Sequence, residues 1–138
     1  MSGKQIQDIR IGDYAEKTDR VVYANASLYA SITGDNNPIH FETKEAYQSR
    51  FGKPIAHGMI AAGFVSGVIG MLLPGEGCIY EKQSMAFIRP VFYGDVILTR
   101  VTVMAINLGR NRITLKTDCF NQNGKLVLTG EATVLPKE

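Results

Sequence analysis

The amino-acid sequence predicts an α+β domain in which a curved antiparallel sheet of about five strands wraps around one long central apolar helix. Three observations predict it. The second half of the chain alternates with the two-residue period of half-buried strands, a charge-free segment runs from Gly58 to Leu73, and short turns rich in Asn and Gly separate the strands. At 138 residues the chain fits one domain, 1–138, and buries roughly two-thirds of its unfolded surface, enough for a core without disulfide or metal.

In chain order, Asp13 to Val22 reads as a first, weakly patterned strand. Ala24 to Thr33 reads as a helix, with Leu28 and Ile32 one turn apart and Gly34 placed to end it. Asp35-Asn36-Asn37-Pro38-Ile39-His40 must be a turn or loop, because Pro38 has no N–H to donate and biases Asn37 out of the helical region. A short helix around Thr43 to Gln48 follows, then the breaker Gly52-Lys53-Pro54 and the charge-free segment. Pro74-Gly75-Glu76-Gly77 turns the chain into a β-like run, Ile79 to Ile88, and Val96 to Ile106 is long and β-branched. Arg112 to Phe120 places Ile113, Leu115, Thr117 and Cys119 on one face; Lys125 to Leu135 repeats the alternation. A helix without charge on any side must be covered on every side, and one small sheet cannot do this. The sequence therefore implies a homodimer, with glycines at 58, 63, 67 and 70 allowing close approach of sheet to helix.

Composition excludes several classes. Fifteen Lys and Arg against 13 Asp and Glu give a net charge of +2, too mild for a nucleic-acid or acidic-membrane partner. Cys78 and Cys119 have no CxxC or Cys/His spacing and read as small buried hydrophobes in a reducing compartment. The polar first segment lacks a signal-peptide apolar core, and Gly58–Leu73 is shorter than the ~18–20 apolar residues that span a bilayer, so the expectation is a cytoplasmic protein with no membrane partner. No phosphate-binding glycine loop appears, which argues against a nucleotide cofactor.

Chemistry concentrates around the chain's two histidines. Asp35 and His40 flank Asn37-Pro38, close enough across the Pro-fixed turn to share one water as base and acid. A carboxylate beside an imidazole would hold its tautomer and raise its pKa. The same segment also reads as an Asx turn with His40 incidental. Asp, Asn and His could offer three metal ligands, but no second cluster completes such a site, and no metal is expected.

Tyr29-Ala30-Ser31-Ile32-Thr33-Gly34-Asp35-Asn36-Asn37-Pro38-Ile39-His40-Phe41, followed by Ala46, resembles the hydratase motif of the MaoC-like, R-specific enoyl-CoA hydratases. The resemblance continues through Pro54-Ile55-Ala56-His57-Gly58-Met59, Leu73-Pro74-Gly75-Glu76-Gly77, Pro90-Val91-Phe92-Tyr93-Gly94-Asp95 and Leu128-Thr129-Gly130-Glu131-Ala132. It implies a hot-dog fold, a homodimer and reversible addition of water to a trans-2-enoyl-CoA to give the R-3-hydroxyacyl-CoA, without a cofactor beyond the acyl-CoA thioester itself. By resemblance Asp35 helps activate the water and His40 positions it and moves the proton. Such a reaction also needs a donor for the developing thioester oxyanion, and the Gly58 N–H at the start of a buried helix suits it; close packing is the alternative use of that glycine.

Ser66, eight positions after Gly58, matches a serine that the family places near the dyad, and also reads as a small core residue. Asn37 is a candidate for orienting the loop through backbone hydrogen bonds, Met59 for lining an acyl site with Phe64, Val65, Met71 and Leu72, and His57 for a structural role. Arg50, Lys53, Arg89, Arg110 and Arg112 are candidates for the CoA phosphates. Three alternatives stand beside the hydratase: a thioesterase of the same fold, a dehydratase acting on acyl carrier protein, and a non-catalytic acyl-CoA-binding module.

Overall fold

The computed structural model describes residues 2–138. Its elements are β1 (Tyr14–Arg20), α1 (Ala24–Thr33), a 3-10 turn (Pro38–His40), α2 (Lys44–Tyr47), α3 (Gly58–Met71), β2 (Ile79–Phe87), β3 (Val96–Asn107), β4 (Arg112–Phe120) and β5 (Leu126–Leu135). The five strands form one antiparallel sheet in the order β1-β3-β4-β5-β2. This sheet with α3 on its face is the hot-dog arrangement. Among the described residues, no helix is long and apolar enough to cross a membrane.

The alternation in β4 does what its period requires: Ile113, Leu115, Thr117 and Cys119 are all buried. In β3 the buried set is Ile97, Thr99, Val101 and Val103, and the register shifts between Val103 and Ala105. The apolar side chains of these two sets meet Ala61, Ala62, Val65, Val68 and Ile69 of α3 in one core. β1 and β2 each pair on one side only and are mostly exposed, which is why their apolar pattern is weak. β2 comes unusually close to β5 opposite Gly130, where an added Cβ would overlap the Ser84 carbonyl oxygen.

One expectation is corrected. Gly63, Gly67 and Gly70 do not admit the sheet: a Cβ on any of them would meet nothing within 4 Å. The sheet side of α3 is taken by its alanines and branched residues, and the glycines lie on the opposite side with the exposed Met59, Ser66 and Met71. In α1 the turn-spaced pair Leu28 and Ile32 faces outward, and the inward side is carried by Ala26 and Ala30.

Candidate active site

The site begins where α1 stops. Gly34 takes φ +77° and donates its N–H to the Ala30 carbonyl at 2.8 Å, the left-handed cap that glycine adopts without strain. The chain turns sharply, and the Asn37 N–H bonds Asp35 Oδ1 at 3.1 Å while Asn37 Oδ1 accepts the Ile39 N–H at 3.3 Å. Asn37 thus orients the loop, as the sequence suggests, and among the described residues Asp35 Oδ2 takes no hydrogen bond. Pro38 opens the 3-10 turn that presents His40.

His40 is fixed from the far side of the sequence. Ile55 and Ala56 lie against Phe92 and Val91, through an isolated bridge and an Ala56 N–H to Val91 carbonyl bond of 2.8 Å. This brings the Ile55 carbonyl within 2.9 Å of His40 Nδ1. A carbonyl only accepts, so Nδ1 carries the proton and Nε2 of the neutral ring keeps its lone pair. The Tyr93 hydroxyl donates to the His40 carbonyl at 2.7 Å and lies 3.3 Å from the Ile55 oxygen, bracing both ends of that contact.

This corrects the expectation that Asp35 sets the tautomer of His40 and raises its pKa. The Ile55 carbonyl sets the tautomer, and the pKa is lowered from the usual 6.5 because burial disfavours the imidazolium; His57 adds to the lowering, while Ile55 and Asp35 only partly oppose it.

Asp35 instead faces His57, which is 2% exposed. His57 Nε2 lies 3.0 Å from the Asp35 carbonyl and 3.9 Å from Asp35 Oδ2. The rings of His57 and His40 stack at 3.8 Å with 28° between planes. Asp35, His40 and His57 offer potential metal-ligand atoms within 4.8 Å of one another, a convergence that sequence spacing alone missed because His57 arrives from another segment. Two of the ring nitrogens already face carbonyl oxygens.

Gly58, the next residue, is the first of α3, and among the described residues its N–H has no partner. A Cβ here would fall 2.8 Å from Phe87 Cδ1, so the glycine also makes room for that ring. His40, Gly58 and Met59 line one cavity of about 520 Å³. Its remaining wall comes from Phe51, Ile55, Ala56, Ala61, Phe87, Ile88, Pro90, Val91, Val127 and Leu128, with Arg50 and Arg89 among the lining residues. Asn37 and Ser66 are not in this lining, nor are Phe64, Val65, Met71 and Leu72. Lys53 sits over the Phe92 ring at 4.4 Å, and Arg112 pairs with Glu81 at 2.8 Å. Tyr93 and most of the wall carry no local signal of their role, since strand pairing over long sequence separations delivers them.

A catalytic-type Asp and His thus meet where His40 and Gly58 line an apolar cavity, Asp35 itself not being in that lining. Residues 10–121 match the family model described as MaoC like domain. The chain is 39% identical to an (R)-specific enoyl-CoA hydratase of Aeromonas caviae over 93% of this chain and 96% of the relative. It is 41% identical to a 3-hydroxybutyryl-CoA dehydratase of Methylorubrum extorquens over 96% of this chain and 84% of that one. An unliganded R-hydratase from Pseudomonas aeruginosa superposes with a TM-score of 0.92 at 35% identity, covering 99% of this chain and 87% of its own. With a family match over residues 10–121 and close agreement of sequence and fold over nearly its whole length, this chain belongs to the MaoC-like domain family.

Proposed function

We propose that the protein is an R-specific enoyl-CoA hydratase, a hydro-lyase that reversibly adds water to a trans-2-enoyl-CoA to give the R-3-hydroxyacyl-CoA. The observation that carries this is the convergence of Asp35 and His40, whose Oδ2 and Nε2 take no hydrogen bond among the described residues, with His40 and Gly58 lining one apolar cavity. The names of the relatives support the same reaction class.

In this reading the acyl chain enters the apolar cavity and its thioester carbonyl lies against the Gly58 N–H, where the positive end of α3 stabilises the enolate oxygen. Asp35 Oδ2 and His40 Nε2 hold one water. Its hydroxyl joins C3, the pair takes up its proton, and one proton is returned to C2, so the net change is addition of H and OH across the double bond. The lowered pKa of His40 keeps Nε2 unprotonated near neutral pH, ready to accept. Because a single water is held on one side of the alkene, one enantiomer forms. Of the five cationic candidates for the phosphates of CoA, Arg50 and Arg89 are the two that line this cavity, which supports that role for them.

The test is purified protein with crotonyl-CoA and chiral analysis of the product. The R-hydroxy product is expected, and an S product or release of free CoA would overturn the reading. Asp35→Asn and His40→Ala should each lower kcat by about 10²–10⁴-fold, the range of a general acid–base group, while remaining folded.

A second copy of the chain completes the molecule in this proposal. The outward side of α3 and the unpaired edge of β2 leave Met59, Met71, Leu72, Ile79, Phe87 and Ile88 exposed in one chain. An unpaired strand edge with apolar ends, beside an uncovered apolar helix face, favours a self-complementary, two-fold interface.

A further inference from the structure

His57 is more than filler at the start of α3. A phenylalanine would occupy the same apolar space between Tyr29, His40 and Phe41, whose rings lie 4.5, 3.8 and 6.1 Å from the His57 ring. The imidazole instead leaves Nδ1 buried with no hydrogen-bond partner, a cost that a merely space-filling residue would avoid. What the ring gains for that cost is on its other edge. Nε2 faces the Asp35 carbonyl at 3.0 Å, and because a carbonyl accepts, Nε2 is the protonated nitrogen. Among the described residues no other group donates to that carbonyl. The flat side of the same ring is the surface on which His40 lies, and its peptide bond leads directly into Gly58.

We infer that His57 is a positioning residue for the hydration reaction: one buried imidazole holds the Asp35 main chain by its Nε2–H, supports the His40 ring by stacking, and fixes both relative to the Gly58 amide. This rests on the hydratase reading above and adds the part that sets its geometry. Asp35 and His40 belong to a loop, and His40 has one further side-chain anchor, the Ile55 carbonyl. That bond fixes one edge of the ring and leaves rotation about it free; the stacked His57 ring removes that freedom. The carboxylate of Asp35 is tied to its own loop through Asn37, and the loop is tied to α3 through His57. Loss of the imidazole therefore lets the two reactive atoms drift relative to one another and to Gly58, without changing the cavity wall, in which His57 takes no part.

Two substitutions separate its contacts. His57→Gln keeps an N–H of similar reach and removes the ring, and His57→Phe keeps the ring and removes the donor. Each variant is compared with the wild-type protein on crotonyl-CoA for kcat and KM, with thermal melting and solution mass confirming the fold and assembly. A positioning role lowers kcat by about 10–100-fold in at least one of the two while KM stays within about twofold, because misplacement of reacting groups penalises the chemical step and the binding wall is intact. A variant that fails to fold leaves the other to decide. Wild-type kcat in the folded variants, or a rise in KM with kcat unchanged, would overturn the inference while leaving the hydratase reading in place. A wild-type protein that does not hydrate crotonyl-CoA would overturn both.

Discussion

His40 gives its Nδ1 proton to the Ile55 carbonyl and lies against His57, with Asp35 nearby and the Tyr93 hydroxyl bracing its main chain. Burial is the largest influence on its protonation and moves the pKa down from 6.5. Hydration needs Nε2 unprotonated, and a lowered pKa extends that form to lower pH. The acid limb of kcat/KM is therefore expected below pH 6.5, the ordinary value for an imidazole, in a profile taken with crotonyl-CoA; a limb above that value would show that the Asp35 charge outweighs burial. Sequence spacing brought Asp35, Asn37, His40 and Gly58 into view because a proline-fixed turn and a helix start are local features. It assigned the control of His40 to the wrong neighbour. The carbonyl that holds the ring belongs to Ile55, fifteen residues away, and only the pairing of that segment with Val91 and Phe92 brings it there.

At the scale of elements, strands and helices were legible where their period is local. β4 and α1 fall where alternation and the Gly34 stop signal put them, and Asn37 and Thr43 cap the 3-10 turn and α2. The order of strands was not legible, since β1 reaches β3 and β2 reaches β5 across intervening elements. Nor was the use of the glycines. Those of α3 beyond Gly58 face open space, while Gly130 is where β5 and β2 come too close for a side chain. Gly130→Ala must push the Ser84 backbone away, and backbone yields less readily than a side chain. A loss of about 1–3 kcal/mol, the usual range for overpacking, is expected from urea unfolding.

For the whole molecule, the apolar and glycine-rich side of α3 is the feature that the sequence explained best in outline and least in detail. Absence of charge implied that both sides are covered; the sheet covers one, and the other carries Met59, Gly63, Ser66, Gly67 and Met71. If a second copy rests there, Gly67→Glu buries a carboxylate in that interface, and α3 carries no cation to pair with it. The wild-type protein should sediment at twice the chain mass and the variant at the chain mass, with its far-ultraviolet spectrum retained; a wild-type monomer would refute the assembly.

The brace between Ile55–Ala56 and Val91–Phe92, with Tyr93 reaching back to the His40 carbonyl, has a consequence for how the motif should be understood. A synthetic peptide spanning Tyr29 to His57 would contain both histidines and the aspartate, yet lack the strand segment that brings the Ile55 carbonyl to the imidazole. In such a peptide nothing would hold the His40 Nδ1 proton against that carbonyl, and the ring would be free to take either tautomer. The reactive residues are written in one short stretch, but their reactivity is conferred from the opposite half of the chain.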